Sequence, residues 1–248
     1  MNLLAEAFDW IFSPDRLSGS SPLPAAIALH LLYTFIAVAL SAVIAVPLGY
    51  YIGHTGKGRN AAIAISGAAR AVPSFGLILL LVLVMGVTQK PLAATIAFVL
   101  LGIPSILAGA YAGLEAVDRR VIDAARAVGM TEWQILVRVE IPLGLPLLIG
   151  GIRAGALQIV ATVVLAAYVT LGGLGTYIIQ GIPLSRYDMI LGSAIVIVAL
   201  ALVLDGLFAL LQQVVVPRGV AAGRTQDIRA TSPRRRAVVG TSLQERKG

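Results

Sequence analysis

A chain of 248 residues that is 58% hydrophobic and only 12% charged is excluded from the soluble globular class, and its mean hydropathy of +0.91 points to an all-α integral membrane protein. The absence of cysteine excludes disulfide frameworks and thiolate metal sites, and the two isolated histidines, His30 and His54, announce no metal-ligand cluster. The net charge of +7 comes from basic flanks around apolar segments, so no nucleic-acid partner is expected.

Residues 1–22 carry Glu6, Asp9 and Asp15 against Arg16 alone, without the basic start or small-residue cleavage site of a secretory signal. They are expected to form an uncleaved extracytoplasmic segment. Apolar runs of the roughly 20 residues needed to cross a bilayer then recur at 23–52, 61–87, 92–117, 143–169 and 189–216. The reading is five membrane helices, or six, within a domain spanning 23–217. Pro47, Pro73, Pro104 and Pro146 are expected to interrupt these helices, and Gly109-x-x-x-Gly113 and Gly151-x-x-x-Gly155 to let helix backbones approach closely. Kinked helices are tolerated at membrane depth where they face protein or a watery cavity, which favours a pathway over an anchor.

Basic loops stay on the cytoplasmic side. Lys57, Arg59, Arg119, Arg120, Arg126, Arg138 and the eight Lys and Arg from Arg218 to Lys247 supply fourteen of the nineteen basic residues. That distribution puts the N-terminus outside, and the C-terminus and the polar island inside. The tail 218–248, rich in Arg, Ser, Thr and Gly, is expected to be disordered.

The island, a hairpin over 118–142, lies between the third and fourth spans. Val121, Ile122, Ala125 and Val128 fall on one helical face, and Arg119, Asp123 and Arg126 on another where they form ion pairs. Gly129 permits the left-handed residue that ends a helix. Thr131 and Gln134 make a capping box, Met130 and Ile135 a hydrophobic staple around it, and Pro142 enters the first turn of the fourth span. The result is helix, glycine turn, helix, then membrane: an ordinary capped loop, or a platform for a partner from the water phase.

Three ionisable side chains lie inside spans, where an unpaired charge is costly. Arg70, just before Pro73, faces a pathway or the interface, whereas Arg153 and Asp205 are expected to pair with each other or to contact a partner chain. Tyr168, Tyr177 and Tyr187 gather near the outer ends of the last two spans, as an interfacial belt or as cation–π contacts to a cationic solute.

Asp123-Ala124-Ala125, three residues, Gly129, nine residues, Val139-Glu140-Ile141-Pro142 resembles the E-A-A-x3-G-x9-I-x-L-P signature of permease subunits in binding-protein-dependent ABC importers. The spacing matches throughout, with Asp for Glu, Val for Ile and Ile for Leu. Val72-Pro73-Ser74, Gly129-Met130-Thr131-Glu132-Trp133-Gln134, Gly151-Ile152-Arg153, Leu165-Ala166-Ala167 and Gly172-Gly173-Leu174-Gly175 are similar to the osmoprotectant branch, whose cargoes are glycine betaine, choline and carnitine. The chain departs from that branch at Thr170-Leu171, where Gly-Ala is usual.

The resemblance implies a type I ABC importer permease fold in a bacterial cell membrane. It implies a coupling helix over 121–128 that seats in a cytoplasmic ATPase, with Arg120, Asp123, Ala124, Ala125, Gly129, Met130, Glu132 and Pro142 as the coupling set. Arg70, Pro73, Ser74, Tyr168, Gly172, Gly173 and Gly175 would serve the pathway or its gate, and Arg153 and Asp205 a structural role. Its implied partners are two ATP-binding subunits, a second permease, identical or paralogous, and a separate extracytoplasmic binding protein. ATP and magnesium would be bound by the ATPases, since the nearest approach to a P-loop here, Gly53-His54-Thr55-Gly56-Lys57-Gly58, lacks the Ser or Thr after Lys. The same architecture with an amino-acid cargo, and a non-transporting scaffold or channel, are the alternatives.

Overall fold

The computed structural model describes residues 2–19 and 22–215; the tail 218–248 and the side chain of Arg70 lie outside the described residues. Four long apolar helices form the body: α3 (Leu23–Thr55), α6 (Lys90–Glu115), α9 (Ile141–Val163) and α11 (Tyr187–Val215). The N-terminal segment adds α1 (Leu3–Phe12) and α2 (Pro14–Ser18). At about 1.5 Å per residue, the 33 residues of α3 reach about 50 Å, beyond the roughly 30 Å of a hydrocarbon core. Its last turn, with His54, therefore stands in the headgroup and water layer.

The second apolar run is not one helix. It divides into α4 (Arg59–Ala71) and α5 (Ser74–Met85), bent by 90°. Pro73 has no N–H to give to a continuing helix and forces the residue before it out of the helical region, and Val72 is extended at φ −70°, ψ 126°. Pro47, Pro104 and Pro146 behave differently from the expectation: each lies inside an unbroken helix. In lipid a complete break leaves more unpaired backbone groups than a single missing N–H, so the helix persists wherever its neighbours support it.

Glycines set the approach of α6 and α9. A Cβ on Gly109 would lie 2.6 Å from the Gly151 Cα, one on Gly113 2.6 Å from the Gly144 carbonyl oxygen, and one on Gly155 2.8 Å from Ile106. The partners descend on one helix as they ascend on the other, so the two run antiparallel. Gly49 and Gly53 press α3 against Ala110, Tyr111 and Leu114 of α6 in rising order, so that pair is parallel. Gln212 donates to the Pro146 carbonyl while Arg153 meets Asp205, which makes α11 antiparallel to α9. Successive spans thus alternate in direction.

Gly113→Ala is expected to cost about 1–3 kcal/mol of stability, because its methyl meets backbone that cannot step aside. Gly150→Ala, with nothing within 4 Å, is the control. Thermal midpoints of the two variants in detergent check the difference.

At the end opposite the hairpin, Trp10 packs over Gly192 of α11 and edge-on to Tyr177 at 5.1 Å. The Arg16 guanidinium lies 5.6 Å from the Trp10 ring and 5.8 Å from the Tyr177 ring. The expected tyrosine cluster is therefore dispersed: Tyr177 is buried in this packing, Tyr187 is exposed, and Tyr168 lies tilted by 57° against Phe75 at 4.7 Å.

Candidate functional site

The hairpin is built from short-range chemistry. Asp118 caps α7 (Arg119–Ala127) by accepting from the Arg120 N–H at 2.9 Å. The helix ends at Gly129, φ +86°, where the Gly129 N–H bonds Arg126 O at 2.9 Å and the Met130 N–H bonds Ala125 O at 3.1 Å. This pair of bonds is a Schellman motif. Thr131 and Gln134 then close a reciprocal capping box on α8 (Glu132–Ile135). Val117, Ile122, Ala125 and Ile135 form a small core with Met130, Val139 and Leu143 against it.

The apolar face of α7 is split. Ile122 and Ala125 are 2% and 8% exposed, but Val121 is 43% and Val128 79% exposed, contrary to the single buried face expected. A helix of nine residues resting on one isoleucine buries a narrow stripe, and Val121, Ala124 and Val128, at i, i+3 and i+7, form a second stripe facing out. Trp133 is also exposed. Arg120, Asp123, Ala124 and Gly129 share this outer surface, whereas Ala125 and Met130 lie beneath it.

Arg126 makes a weak contact to Asp123 at 3.4 Å, but its main partner is Glu132 across the turn, at 2.7 and 3.0 Å. The hydrogen bond and charge of Glu132 raise the Arg126 guanidinium still further above its ordinary range. Pro142 does not start a separate helix. The chain stays helical from α8 through a π turn at Leu136–Glu140 into α9, with the Ile141 N–H reaching back to Leu136 O. One extra residue in the turn re-registers the ladder just ahead of the proline that cannot donate to it. The second arm of the hairpin, from Glu132, is consequently continuous with α9.

The residues expected along a pathway fall in two places. Pro73 and Ser74 sit at the bend, where Ser74, Ala69, Val72, Leu101, Ser105, Ala154 and Gln158 line a cavity of about 500 Å³. Among the described lining residues the polar side chains, Ser74, Ser105 and Gln158, are uncharged. Tyr168, Gly172, Gly173 and Gly175 lie nearer the opposite end, and the Phe75–Tyr168 contact joins the two sets. There α9 tightens into a 3-10 turn (Val164–Val169), followed by Gly172 at φ +83° and Gly173 at φ +80° before α10 (Gly175–Gly181).

Thr170, φ +64°, occupies a left-handed position that a β-branched residue disfavours. Its hydroxyl accepts from the Lys90 ammonium at 3.0 Å. Thr170→Gly is expected to stabilise the protein by about 1 kcal/mol through release of that strain. A lowered thermal midpoint would mean instead that the Lys90 bond outweighs the backbone.

Arg153 and Asp205 meet in a two-point ion pair between α9 and α11. Both histidines, silent in the sequence, have defined partners. His30, fully buried in α3, donates from Nε2 to Val160 O at 3.1 Å, where the N–H of Val164 turns toward Thr162 O as α9 tightens. His54 meets Glu140 of the π turn. No local pattern announces either contact, because the partners lie 130 and 86 residues away.

Residues 45–219 match the family model described as binding-protein-dependent transport system inner membrane component. The chain is 34% identical to the carnitine transport permease protein OpuCB of Listeria monocytogenes, over 79% of this chain and 88% of that protein. It is 35% identical to the osmoprotectant import permease protein OsmW of Salmonella typhimurium, over 77% of this chain and 90% of that protein. The fold is similar to an inward-facing structure of the MetNI methionine ABC transporter, with a TM-score of 0.68 at 20% identity, covering 79% of this chain and 96% of that one.

Proposed function

The chain belongs to the family of binding-protein-dependent transport system inner membrane components, and from that premise we propose that it is the permease subunit of an ATP-driven importer of small osmoprotectants such as quaternary amines. The observation that carries the coupling role is the outward stripe Val121, Ala124 and Val128 on a rigidly capped hairpin continuous with α9. A partner covering that stripe gains apolar burial, and its movement passes directly into a membrane helix.

The cargo class rests on the relatives, named for carnitine and osmoprotectant import. Ser74, Ser105 and Gln158 of the cavity offer hydrogen bonds to a small polar solute. The hairpin end is cytoplasmic and the opposite end extracytoplasmic, as the basic-residue bias indicates. Domain limits follow the same reading: 1–22 outside, 23–217 the permease domain, and the tail 218–248 inside.

Two ATPase subunits, each binding ATP and magnesium, dock on the hairpins of this chain and a second permease, while a separate binding protein delivers solute from the far side. This chain has no ATPase site of its own. ATPase closure moves the hairpins and α9 swings as a rod. The bend at Pro73 yields, and the cavity changes the side it faces. Gly172, Gly173 and Gly175 form the outer gate, and Arg70 flanks the pathway.

The test is ATPase activity of the complex in lipid, with and without the binding protein and glycine betaine, choline or carnitine. Stimulation by one of them only when the binding protein is present is the expected result. A stable complex that none of them stimulates would discard the osmoprotectant cargo, and failure to form any complex would discard the docking role of the hairpin.

A further inference from the structure

Glu140 is 3% exposed, a buried carboxylate inside the π turn that joins the hairpin to α9. A carboxylate only accepts hydrogen bonds, so its contact with the His54 ring fixes Nδ1 as the donor. The Nε2 edge of the same ring faces Glu132, 3.8 Å away, and Glu132 is held by both arms of Arg126. His54 thus touches both ends of the segment from α8 through the π turn.

On its own helix His54 is equally constrained. It follows Gly53, where a Cβ would lie 2.8 Å from the Tyr111 carbonyl and from the Leu114 side chain, so the last turn of α3 is packed backbone-close against α6. The hairpin is therefore tied to the bundle in three places, through the chain into α6 by way of Val117, through the chain into α9, and through His54 into α3. The neighbouring α4 has no such tie to the hairpin among the described residues; its link is Arg59 to Glu115 of α6 at 3.2 Å, and its only buried apolar side chain is Ala62.

We propose that His54 is a positioning residue of the transport stroke: through Glu140 it delivers hairpin displacement to α3, alongside α6 and α9, which the chain joins to the hairpin directly. The three helices move as one body, and the Pro73 bend is where the bundle yields. This rests on the importer reading above, and neither residue touches solute or nucleotide.

The experiment uses the full complex with its ATPase and binding protein in vesicles and reads solute taken up per ATP hydrolysed. The double variant H54A/E140A removes both partners, so no buried charge is stranded. It is expected to keep hydrolysing ATP while the ratio falls about tenfold, and H54Q/E140Q, which retains an uncharged hydrogen bond, is expected to stay within about twofold of wild type. If the double alanine does not assemble, H54L/E140M, which refills the space, takes its place with the same two readings. A wild-type ratio in the alanine or Leu/Met pair overturns the proposal, and so does an equal fall in the glutamine pair. A wild-type complex lacking solute-stimulated ATPase would instead sink the importer reading itself.

Discussion

Gly129→Val is expected to insert and fold normally yet to uncouple ATP hydrolysis from uptake. Nothing lies within 4 Å of the position a Cβ would take, so the substitution meets no neighbour. The penalty is confined to the backbone: φ is +86°, a left-handed conformation that costs an L-residue about 1–2 kcal/mol and is least accessible to a β-branched one. The two turn bonds, Gly129 to Arg126 and Met130 to Ala125, depend on that φ. A valine is relieved by opening them, which turns the stripe Val121, Ala124 and Val128 away from its partner while α9 remains in the membrane. Gly129→Asn, which tolerates the left-handed region, should retain coupling. Uptake and ATPase measured together in vesicles decide it, and normal coupled transport in the valine variant would contradict the coupling role of the hairpin.

Asp205→Lys is expected to remove assembled protein from the membrane. The carboxylate holds two nitrogens of Arg153 between antiparallel membrane helices, with both side chains about one-third exposed on the surface of the bundle. Reversal sets two cations side by side within the membrane-spanning helices and leaves neither with a partner. The yield of monodisperse protein extracted from membranes should fall about tenfold or more. Exchanging the charges, with Arg153→Asp added to Asp205→Lys, should recover much of it. A single reversal that leaves assembly and uptake untouched would dismiss the structural role of this pair.

Most of the hairpin was legible in the sequence because its devices act within six residues. The capping box and the glycine turn are set by neighbours in the chain, whatever the rest of the molecule does. The Asp118 cap is legible too, as an acidic residue directly ahead of a helical run. Apolar length announced the spans just as directly, since a bilayer responds to the number of consecutive apolar residues and not to their partners.

Other features answer to surroundings. Pro73 breaks its helix while Pro47, Pro104 and Pro146 do not; Pro104 and Pro146 are buried against neighbouring helices, whereas Pro47 is as exposed as Pro73. The glycine motifs announced close approach, but only the antiparallel docking of α6 on α9 pairs Gly113 with Gly144 and Gly109 with Gly151.

By itself the sequence determined the membrane class, the capped hairpin and the resemblance to importer permeases, because those depend on composition and on contacts one or two turns long. The tertiary structure alone decided the 90° bend, the outward stripe on α7, and the ties from His54 to Glu140 and from Arg153 to Asp205. The two ties require helices distant in the chain to arrive at a particular depth and rotation, and the bend and the stripe depend on what neighbouring segments cover, so all are set by packing the whole bundle at once.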